Sequence, residues 1–504
     1  MPLLAELTDD AGWIANLVLA ADWLIRVGLS VRVVMRRTSV GVSLSWLTVV
    51  LLLPFVGAAI YLVVGENRLG RRRARRTVVL HNAYAGWRSR LRDRPGPDWS
   101  ALPAAVAAVH RHAASLSGLP ALAGNDLRLI ADSHEALGAL AEDIDRAEHR
   151  CHLEFYIWFE GGEVQRVVGA LCRAAERGVA CRVLVDAVGS KKFLDGGDDL
   201  KKLRDAGVEV VASLPAGLVR AVFRRLDLRN HRKLAVIDGR VAYTGSLNMI
   251  DPKVYKHEAG VGAWIDAMVR VEGPAVEALA VIFLEDWQLE TGEDLGQLDR
   301  DSLLRRSLPS ADDPDEVEPA PPTAGVQAVP SGPSLRPEAI HHVLIAAIYA
   351  AQKTVTITTP YFVPDEALLI ALTSAAARGV DTLIILPEQN DSVLVRHASN
   401  ACLGDLLAAG VKVARFRGGL LHTKSVTVDE HLSLFGTVNL DMRSFYLNFE
   451  LTLLVYDRSF TRRLSSLQQS YVMNTTMVDL KAWRNRPYRR RLADNAARLL
   501  GPLL

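Results

Sequence analysis

The sequence predicts an α/β fold, in which N-terminal membrane helices precede a duplicated α/β unit that forms one pseudo-symmetric catalytic unit. The first observation is that the pattern His-x-Lys-x-x-x-x-Asp occurs twice, starting at residues 231 and 422. The second is that one order of predicted helices and strands precedes both copies, as expected for an internal duplication. The third is a run of 27 uncharged residues near the N-terminus.

Two apolar segments predict the membrane helices. The uncharged run covers residues 39–65 and exceeds the roughly 20 residues that a spanning helix needs. It contains Pro54, which a membrane helix tolerates. The earlier segment, residues 13–34, carries Asp22 and Arg26 four residues apart, on one helical face where they can pair. We predict a first spanning helix there; the alternative is an interfacial helix in the headgroup region.

Arginines around the uncharged run predict its orientation. Three precede it and six follow it: Arg32, Arg36 and Arg37 before, and Arg68, Arg71, Arg72, Arg73, Arg75 and Arg76 after. Because cytoplasmic flanks carry the excess of basic residues, the large C-terminal part is predicted to lie in the cytoplasm. The cluster also suits anionic lipid headgroups, although it could equally be a topology signal alone.

An internal repeat divides the remainder. The segment AAERGV at 174–179 resembles AARGV at 376–380, and AGVEV at 206–210 resembles AGVKV at 409–413. The stretch 308–336 is rich in Pro, Asp, Ser and Ala and lacks periodicity, which predicts a linker. The predicted organisation is a membrane region over 1–76, a helical connector over 77–125, a first half over 126–307, the linker over 308–336, and a second half over 337–504 that ends in an amphipathic helix.

Each copy of the motif supplies three chemical groups, an imidazole, an ammonium and, from a downstream Gly-x-x-Asn, an amide. These are His231, Lys233 and Asn248 in the first half, and His422, Lys424 and Asn439 in the second. The flanking residues predict strand, turn, strand, and residues i and i+2 of a strand face the same way, so each His and Lys should project toward one ligand. Such a set can attack a phosphodiester, hold its oxygens and protonate the leaving alcohol. Two half-sites predict one shared active centre.

Four acidic residues accompany the motifs. Asp238 and Asp429 complete the predicted catalytic set, but they lie an odd number of residues beyond the lysines. We therefore expect them to point elsewhere, as turn-capping or buried structural carboxylates. Glu258 and Glu450 lie ten and eleven residues after the asparagine of their half. We predict that they orient the catalytic histidines through the far ring nitrogen; the alternative is that both are ordinary surface glutamates.

The paired motifs resemble those of the phospholipase D superfamily, and their surroundings resemble bacterial cardiolipin synthases. The resembling segments are FYIW at 155–158, YTGSLNM at 243–249, TTPYFVPD at 358–365 and FGTVNLDMRSF at 435–445. The resemblance covers nearly the whole chain and implies a phospholipase D-type α/β/α sandwich. It implies that His231 and His422 are the catalytic pair and that Lys233, Lys424, Asn248 and Asn439 bind phosphate. Thr437 stands where a serine is commoner in the superfamily, but the hydroxyl is kept.

The resemblance also implies an activity, that of a phosphatidyltransferase on the inner membrane of a bacterial cell. It would use phosphatidylglycerol, alongside other anionic phospholipids as partners, and form cardiolipin and glycerol through a phosphatidyl-histidine. His231 is assigned as the nucleophile and His422 as the acid/base, with the reverse assignment left open. The alternatives are a membrane phospholipase D that releases phosphatidic acid, and a synthase variant with phosphatidylethanolamine as donor. The motifs do not decide between water and a lipid alcohol as acceptor.

Several features argue against other classes of protein. A net charge of +2 and a membrane anchor disfavour a nuclease, so we predict no nucleic acid partner. Cys151, Cys172, Cys181 and Cys402 have no paired spacing and are predicted to be reduced core residues. The remaining histidines form no convincing ligand set, so we predict neither a metal nor another cofactor. The oligomeric state is left open, a homo-oligomer included.

Two further segments are candidates for contact with lipid. Residues 218–229 place Phe223 among four arginines just before the first motif. Residues 489–504 mix arginines with leucines at near-helical spacing, as in an interfacial helix. For both segments, packing against the catalytic part of the chain is the equally weighted alternative.

Overall fold

The chain forms two compact units. The computed structural model describes residues 2–36, 40–53, 55–65, 71–215, 225, 227–256, 260–293, 324–333 and 338–499. The first unit comprises Met1–Arg72 and Ala216–Asp227, and the second comprises Arg73–Pro215 and Leu228–Leu504. Most of the lipid-contact candidate at 218–229, including Phe223, lies outside the described residues.

The first unit contains helices that pack through a small apolar core. These are α1 (Pro2–Met35), α2 (Val40–Leu52), α3 (Val56–Ile60) and a π-helical turn at Tyr61–Gly65. The core residues are Leu29, Val33, Val50, Ala58 and Tyr61. Among the described residues, no helix combines the length and apolarity that crossing a bilayer requires.

The spanning helix predicted within 39–65 is not continuous in the structure, because α2 ends at Leu52 and α3 begins at Val56. Pro54 occupies the break in the sequence, and a proline has no N–H to donate and disfavours helical geometry in the residue before it. The predicted pair of Asp22 and Arg26 is confirmed, with 2.6 Å between the charged groups. The pair also satisfies backbone groups on both sides of the break. Arg26 donates to the Leu51 carbonyl (2.5 Å), and Asp22 accepts from the Phe55 N–H (3.2 Å). Those two backbone groups would bond to each other in an unbroken helix.

Helices α4 to α18 follow. Their bounds are α4 Arg71–Ala83, α5 Ala85–Arg92, α6 Ala104–Ser117, α7 Ser133–Asp145, α8 Val164–Glu176, α9 Lys191–Leu194, α10 Asp198–Asp205, α11 Ala275–Thr291, α12 Ala339–Ala350, α13 Glu366–Ala377, α14 Val393–Ala408, α15 Met442–Tyr446, α16 Arg458–Val472, α17 Leu480–Arg484 and α18 Tyr488–Leu499. A 3₁₀ turn lies at Trp99–Ala101.

The repeated AARGV-like segments end equivalent helices. Gly178 follows α8 and Gly379 follows α13, with φ of 88° and 85°. Glycine adopts this left-handed conformation without the steric cost that a Cβ imposes, so each segment stops its helix and turns the chain into the next strand.

The strands of the second unit are short and most of them join one sheet. Their bounds are β1 Leu122–Ile130, β2 Arg150–Phe155, β3 Ala180–Asp186, β4 Glu209–Ser213, β5 Arg229–Asn230, β6 Lys233–Ile237, β7 Val241–Gly245, β8 Trp264–Ile265, β9 Met268–Glu272, β10 Ala324–Ser331, β11 Thr354–Thr358, β12 Phe362–Val363, β13 Asp381–Pro387, β14 Lys412–Phe416, β15 Leu420–Leu421, β16 Ser425–Val428, β17 Leu432–Gly436, β18 Leu440–Asp441, β19 Asn448–Tyr456 and β20 Thr475–Met477.

The order of strands confirms the predicted duplication. The first half runs β1-β9-β7-β6-β2-β3-β4, and the second half runs β10-β19-β17-β16-β11-β13-β14, with β20 added at its edge. The halves join where β1 and β10 pair antiparallel. In each half the strand after the motif histidine pairs antiparallel with a hairpin partner and with the first strand of a parallel set.

Helices cover both faces of the sheet. In β6, Ala235 and Ile237 join the core formed with α7 and α8, whereas Leu234 and Val236 face the core formed with α11. In the second half, α12, α13 and α14 contribute to a third core. Apolar residues that pack on both sides of the sheet explain why β6 is buried throughout. The resulting layers are helices, sheet and helices.

Two predicted boundaries need correction. The linker predicted over 308–336 contains β10, which pairs with β1 and β19 in the middle of the sheet. Its sequence, AGVQAVPS, lacks strict alternation because β10 is buried nearly throughout. The first half begins with β1 at Leu122, within the predicted connector. Residues 308–323 lie outside the described part of the chain.

Candidate active site

The two motifs meet at one cavity of about 460 Å³. Both motif histidines and both motif asparagines line it: His231, Asn248, His422 and Asn439. Aromatic rings flank the imidazoles, with Tyr156 4.9 Å from His231 and Trp264 4.3 Å from His422 between ring centroids. Both motif histidines and both motif asparagines therefore face one cavity, where a single ligand can contact all four.

Each histidine lies in a short loop rather than on the strand that we predicted. His231 lies between β5 and β6, and His422 lies between β15 and β16. The backbone of each is tied to the opposite half, since His231 N donates to Phe449 O (2.9 Å) and His422 N donates to Ile265 O (2.8 Å). Parallel pairing of β5 with β19 and of β15 with β8 holds each histidine loop against the opposite half.

A carboxylate from the opposite half binds the Nδ1 of each imidazole. Glu450 lies 2.9 Å from His231 and Asp266 lies 2.7 Å from His422. Glu450 was among the predicted residues, whereas Asp266 was missed and Glu258 lies outside the described residues. Asp266 directly follows β8, and the only signal in its sequence is an acidic residue among apolar neighbours.

Burial sets the protonation of the imidazole–carboxylate pairs. It lowers the pKa of both His231 and His422 to about 4, although the facing carboxylates act in the opposite direction. Burial acts to raise the pKa of Glu450 and of Asp266, but the facing histidine and lysine outweigh it and the net shift is downward. Near neutral pH each pair is thus an ionised carboxylate that accepts Nδ1–H from a neutral imidazole, which leaves Nε2 with its lone pair.

The motif lysines lie beside the cavity and do not line it. Lys233 donates to His231 O (2.7 Å), and Lys424 donates to His422 O (2.6 Å). Burial lowers the pKa of Lys233 to about 8 and that of Lys424 to about 7. Lys424 also contributes to lowering the pKa of His231, so the charge of one motif reaches the other. The lysines thus supply positive potential to the cavity from behind the imidazoles.

The motif asparagines present unpaired amide atoms. Asn248 accepts from Ile157 N (3.2 Å) through Oδ1, while its buried Nδ2 has no partner among the described residues. The Oδ1 of Asn439 is likewise buried without a partner in the described part of the chain. A buried amide atom without a partner is costly, so these groups are suited to a polar ligand in the cavity.

The motif aspartates do not line the cavity, so the prediction that they belong to the catalytic set is corrected. Asp238 accepts backbone N–H bonds from Glu148, His149 and Arg150 at 2.8 to 2.9 Å. Asp429 does the same in the second half with the backbone of residues 352–354. Both sit at turns with φ near 50°, as the turn-capping interpretation predicted.

The hydroxyl kept at Thr437 acts on an orienting carboxylate. Its Oγ1 donates to Glu450 Oε2 at 2.5 Å and accepts from Leu451 N at 2.9 Å. Either Ser or Thr supplies this donor, so the departure at Thr437 leaves the support of Glu450 intact.

Known proteins resemble this chain over nearly its whole length. A family model described as cardiolipin synthase, PLD-like domain, matches residues 140–287 and 344–470, which is more than half of the chain. A second, described as phospholipase D-nuclease N-terminal, matches residues 14–66. Cardiolipin synthase A of Pectobacterium atrosepticum is 42% identical over 493 residues, covering 97% of this chain and 99% of that protein. Cardiolipin synthase A of Cronobacter sakazakii is 41% identical over 490 residues, covering 97% and 98%.

A solved structure shares the fold. The crystal structure of phosphatidylserine synthase from Haemophilus influenzae aligns with a TM-score of 0.58 at 16% identity, covering 79% of this chain and 100% of that one. At this identity the likeness supports the duplicated architecture alone.

Proposed function

The chain belongs to the cardiolipin synthase family of phospholipase D-like proteins, and from that premise we propose that it transfers a phosphatidyl group between two phosphatidylglycerol molecules, giving cardiolipin and glycerol. The observation that carries this proposal is the crossed pairing at the cavity, in which each motif histidine is held by a carboxylate of the other half. Two imidazoles oriented in this way suit a nucleophile and an acid/base that work on one phosphorus.

In the first step, Nε2 of His231 attacks the phosphorus of the first phosphatidylglycerol. An N–P bond forms, the bond from phosphorus to the glycerol oxygen breaks, and His422 delivers a proton to that oxygen. Low pKa values favour the neutral imidazole that a nucleophile needs. The bound phosphodiester adds a negative charge that favours the imidazolium on His422, as Asp266 does from the other side.

In the second step, the free hydroxyl of a second phosphatidylglycerol attacks the phosphatidyl-histidine. His422 takes the hydroxyl proton, the N–P bond breaks and His231 returns to its neutral form. Asn248 and Asn439, which line the cavity, hold the phosphoryl oxygens through both steps, while Lys233 and Lys424 stabilise the negative charge from behind the imidazoles. No nucleotide is needed, because one phosphodiester is exchanged for another through the covalent intermediate.

The wall of the cavity supports a glycerol-bearing acceptor. Asp391 lines the cavity, accepts from Tyr361 OH (2.7 Å) and lies 3.3 Å from Lys256 Nζ. A carboxylate held in this way can accept hydroxyl hydrogen bonds from a glycerol headgroup.

The test is a product analysis with phosphatidylglycerol as sole lipid. Purified full-length protein in detergent, with a chelator and without nucleotide, is expected to release cardiolipin and glycerol in equal amounts. Added glycerol should drive the reaction backward, since both directions share one intermediate. The His231→Ala protein serves as the blank for contaminating activity.

Two outcomes would replace the proposal. Phosphatidic acid as the main product, whatever lipid alcohol is supplied, would identify a membrane phospholipase D. Release of ethanolamine when phosphatidylethanolamine is added would identify that lipid as the donor.

We also propose that the chain is a multi-pass protein of the bacterial inner membrane with its catalytic part in the cytoplasm. Support comes from the N-terminal family match, the uncharged run at 39–65 and the six arginines that follow it. In intact cells, Gly70→Cys should be shielded from a membrane-impermeant thiol reagent, and Thr38→Cys should be labelled. Labelling at position 70 would contradict the cytoplasmic placement, and shielding at position 38 would favour an interfacial first helix.

A further inference from the structure

A second polar cavity, of about 540 Å³, lies apart from the motif residues. It is formed by parts of β14, β20, α14, α17 and α18, and we call it the basic cavity. Five arginines line it: Arg396, Arg415, Arg417, Arg486 and Arg490. The carboxylates in the lining are Glu388 and Asp494, so positive charge is in excess by three.

One of the two carboxylates in the lining already has cationic partners. Asp494 is buried, and it binds both Arg486 (2.6 Å) and His397 (2.8 Å). Arg486 also stacks on Trp483, with its guanidinium 3.6 Å from the ring centroid. Arg415 has only neutral partners, the Asn400 side chain and a backbone carbonyl.

Three arginines of the basic cavity remain without a side-chain partner among the described residues, namely Arg396, Arg417 and Arg490. Arg396 lies on α14, Arg417 follows β14 and Arg490 lies on α18. The fold therefore brings three unpaired guanidinium groups together at one cavity. Burial lowers the pKa of Arg415, and Arg486 and Arg396 lower it further despite the opposing effect of Glu388. The positive potential there is therefore not neutralised by the protein itself.

One exposed apolar side chain lines the basic cavity, and others lie on the outer side of α18. Met477 lines the cavity and is 49% exposed. On the side of α18 that faces away from Arg490 and Asp494, Tyr488 and Leu492 are 75% and 56% exposed. The opposite side of α18 packs on α14 through Ala497 and Ala398, so the predicted C-terminal helix both packs and presents apolar side chains. Basic residues beside exposed apolar ones are typical of a surface that meets anionic lipid.

Helix α14 connects the two cavities. Ser392, the N-cap of this helix, and Val395, in its first turn, line the cavity of the motif histidines, whereas Arg396 and Asn400 line the basic cavity. The two cavities therefore lie next to each other along one helix.

We propose that the basic cavity binds the phosphate-bearing headgroup of an anionic phospholipid, as a site separate from the one where transfer takes place. Planar guanidinium groups bind phosphate oxygens in pairs, which suits several arginines around one headgroup. A free phosphate ion offers the same chemistry, but the exposed Met477 in the lining and the exposed apolar side of α18 favour a lipid as the source of the phosphate group. The site goes beyond the proposed transfer reaction and does not depend on it.

The test is hydrogen exchange of the full-length protein in nanodiscs, followed in peptides that cover residues 480–499. Phosphatidylglycerol discs are compared with phosphatidylcholine discs and with phosphatidylcholine discs plus inorganic phosphate. The test variant is Arg396→Gln/Arg417→Gln/Arg490→Gln. The matched control is Arg484→Gln/Arg489→Gln/Arg491→Gln, which removes the same charge from exposed positions outside the cavity lining.

Phosphatidylglycerol should protect this region in the wild type and in the control. In the test variant, the fraction of phosphatidylglycerol needed for half-maximal protection should rise about tenfold or more. Equal loss in both triple variants would overturn the proposal in favour of unspecific attraction, and equal protection by inorganic phosphate would overturn the lipid assignment. Peptides around His422 and the product analysis report on the transfer site separately, so failure of one proposal is distinguishable from failure of the other.

Discussion

Replacing His231 with alanine is expected to lower phosphatidyl transfer by at least about 10⁴-fold and to leave no covalent adduct. The proposed nucleophile is Nε2 of this residue, and the neutral form is favoured because burial lowers its pKa to about 4. The measurement is turnover of phosphatidylglycerol, together with mass spectrometry of acid-sensitive adducts in rapidly quenched wild-type and variant protein.

The matched variant is His422→Ala, which removes the other imidazole of the same cavity. This variant should also lose turnover, but it retains the nucleophile His231. A phosphatidyl adduct on His231 should therefore form if the leaving alcohol can depart without a proton donor. An adduct on His422 in the wild-type protein would reverse the assignment of the two histidines.

The second large effect is expected from the crossed carboxylates. Asp266→Asn and Glu450→Gln should each lower kcat by roughly 10²- to 10⁴-fold, with a smaller change in KM. Each carboxylate accepts a hydrogen bond from the Nδ1 of a histidine in the other half, at 2.7 and 2.9 Å, and fixes the tautomer that exposes Nε2. An amide at either position can donate to Nδ1 and so stabilise the wrong tautomer.

Glu258→Gln is the control for these carboxylate variants, because the spacing in the sequence favoured Glu258 whereas the geometry favours Asp266. It should retain nearly full kcat. A loss in Glu258→Gln with none in Asp266→Asn would restore the assignment based on spacing. Thermal unfolding of all three variants separates a catalytic loss from a folding defect, and the change in kcat should persist at temperatures well below each transition.

The repeat made much of the architecture predictable. Duplicated helix-ending segments, with Gly178 and Gly379 at equivalent places, reflect duplicated local geometry, so the strand order repeats as well. The prediction failed at two places where tertiary contacts outweighed a local sequence rule. A proline-containing apolar run was predicted as one helix, yet Asp22 and Arg26 of a neighbouring helix satisfy the backbone groups at a break. An aperiodic stretch was predicted as linker, yet its end is a strand buried in the sheet.

The sequence by itself determined the chemical groups of the site, because a duplicated motif carries its histidines, lysines and asparagines wherever it occurs. It also determined that Asp238 and Asp429 serve turns, since strand alternation turns them away from the lysines. Only the tertiary structure decided which carboxylate meets which imidazole. The short parallel pairings of β5 with β19 and β15 with β8 exchange segments between the halves, which brings Asp266 to His422 across 156 residues of sequence. Spacing along one half carries no information about such an exchange, because the contact depends on how the two halves of the sheet join rather than on any local periodicity.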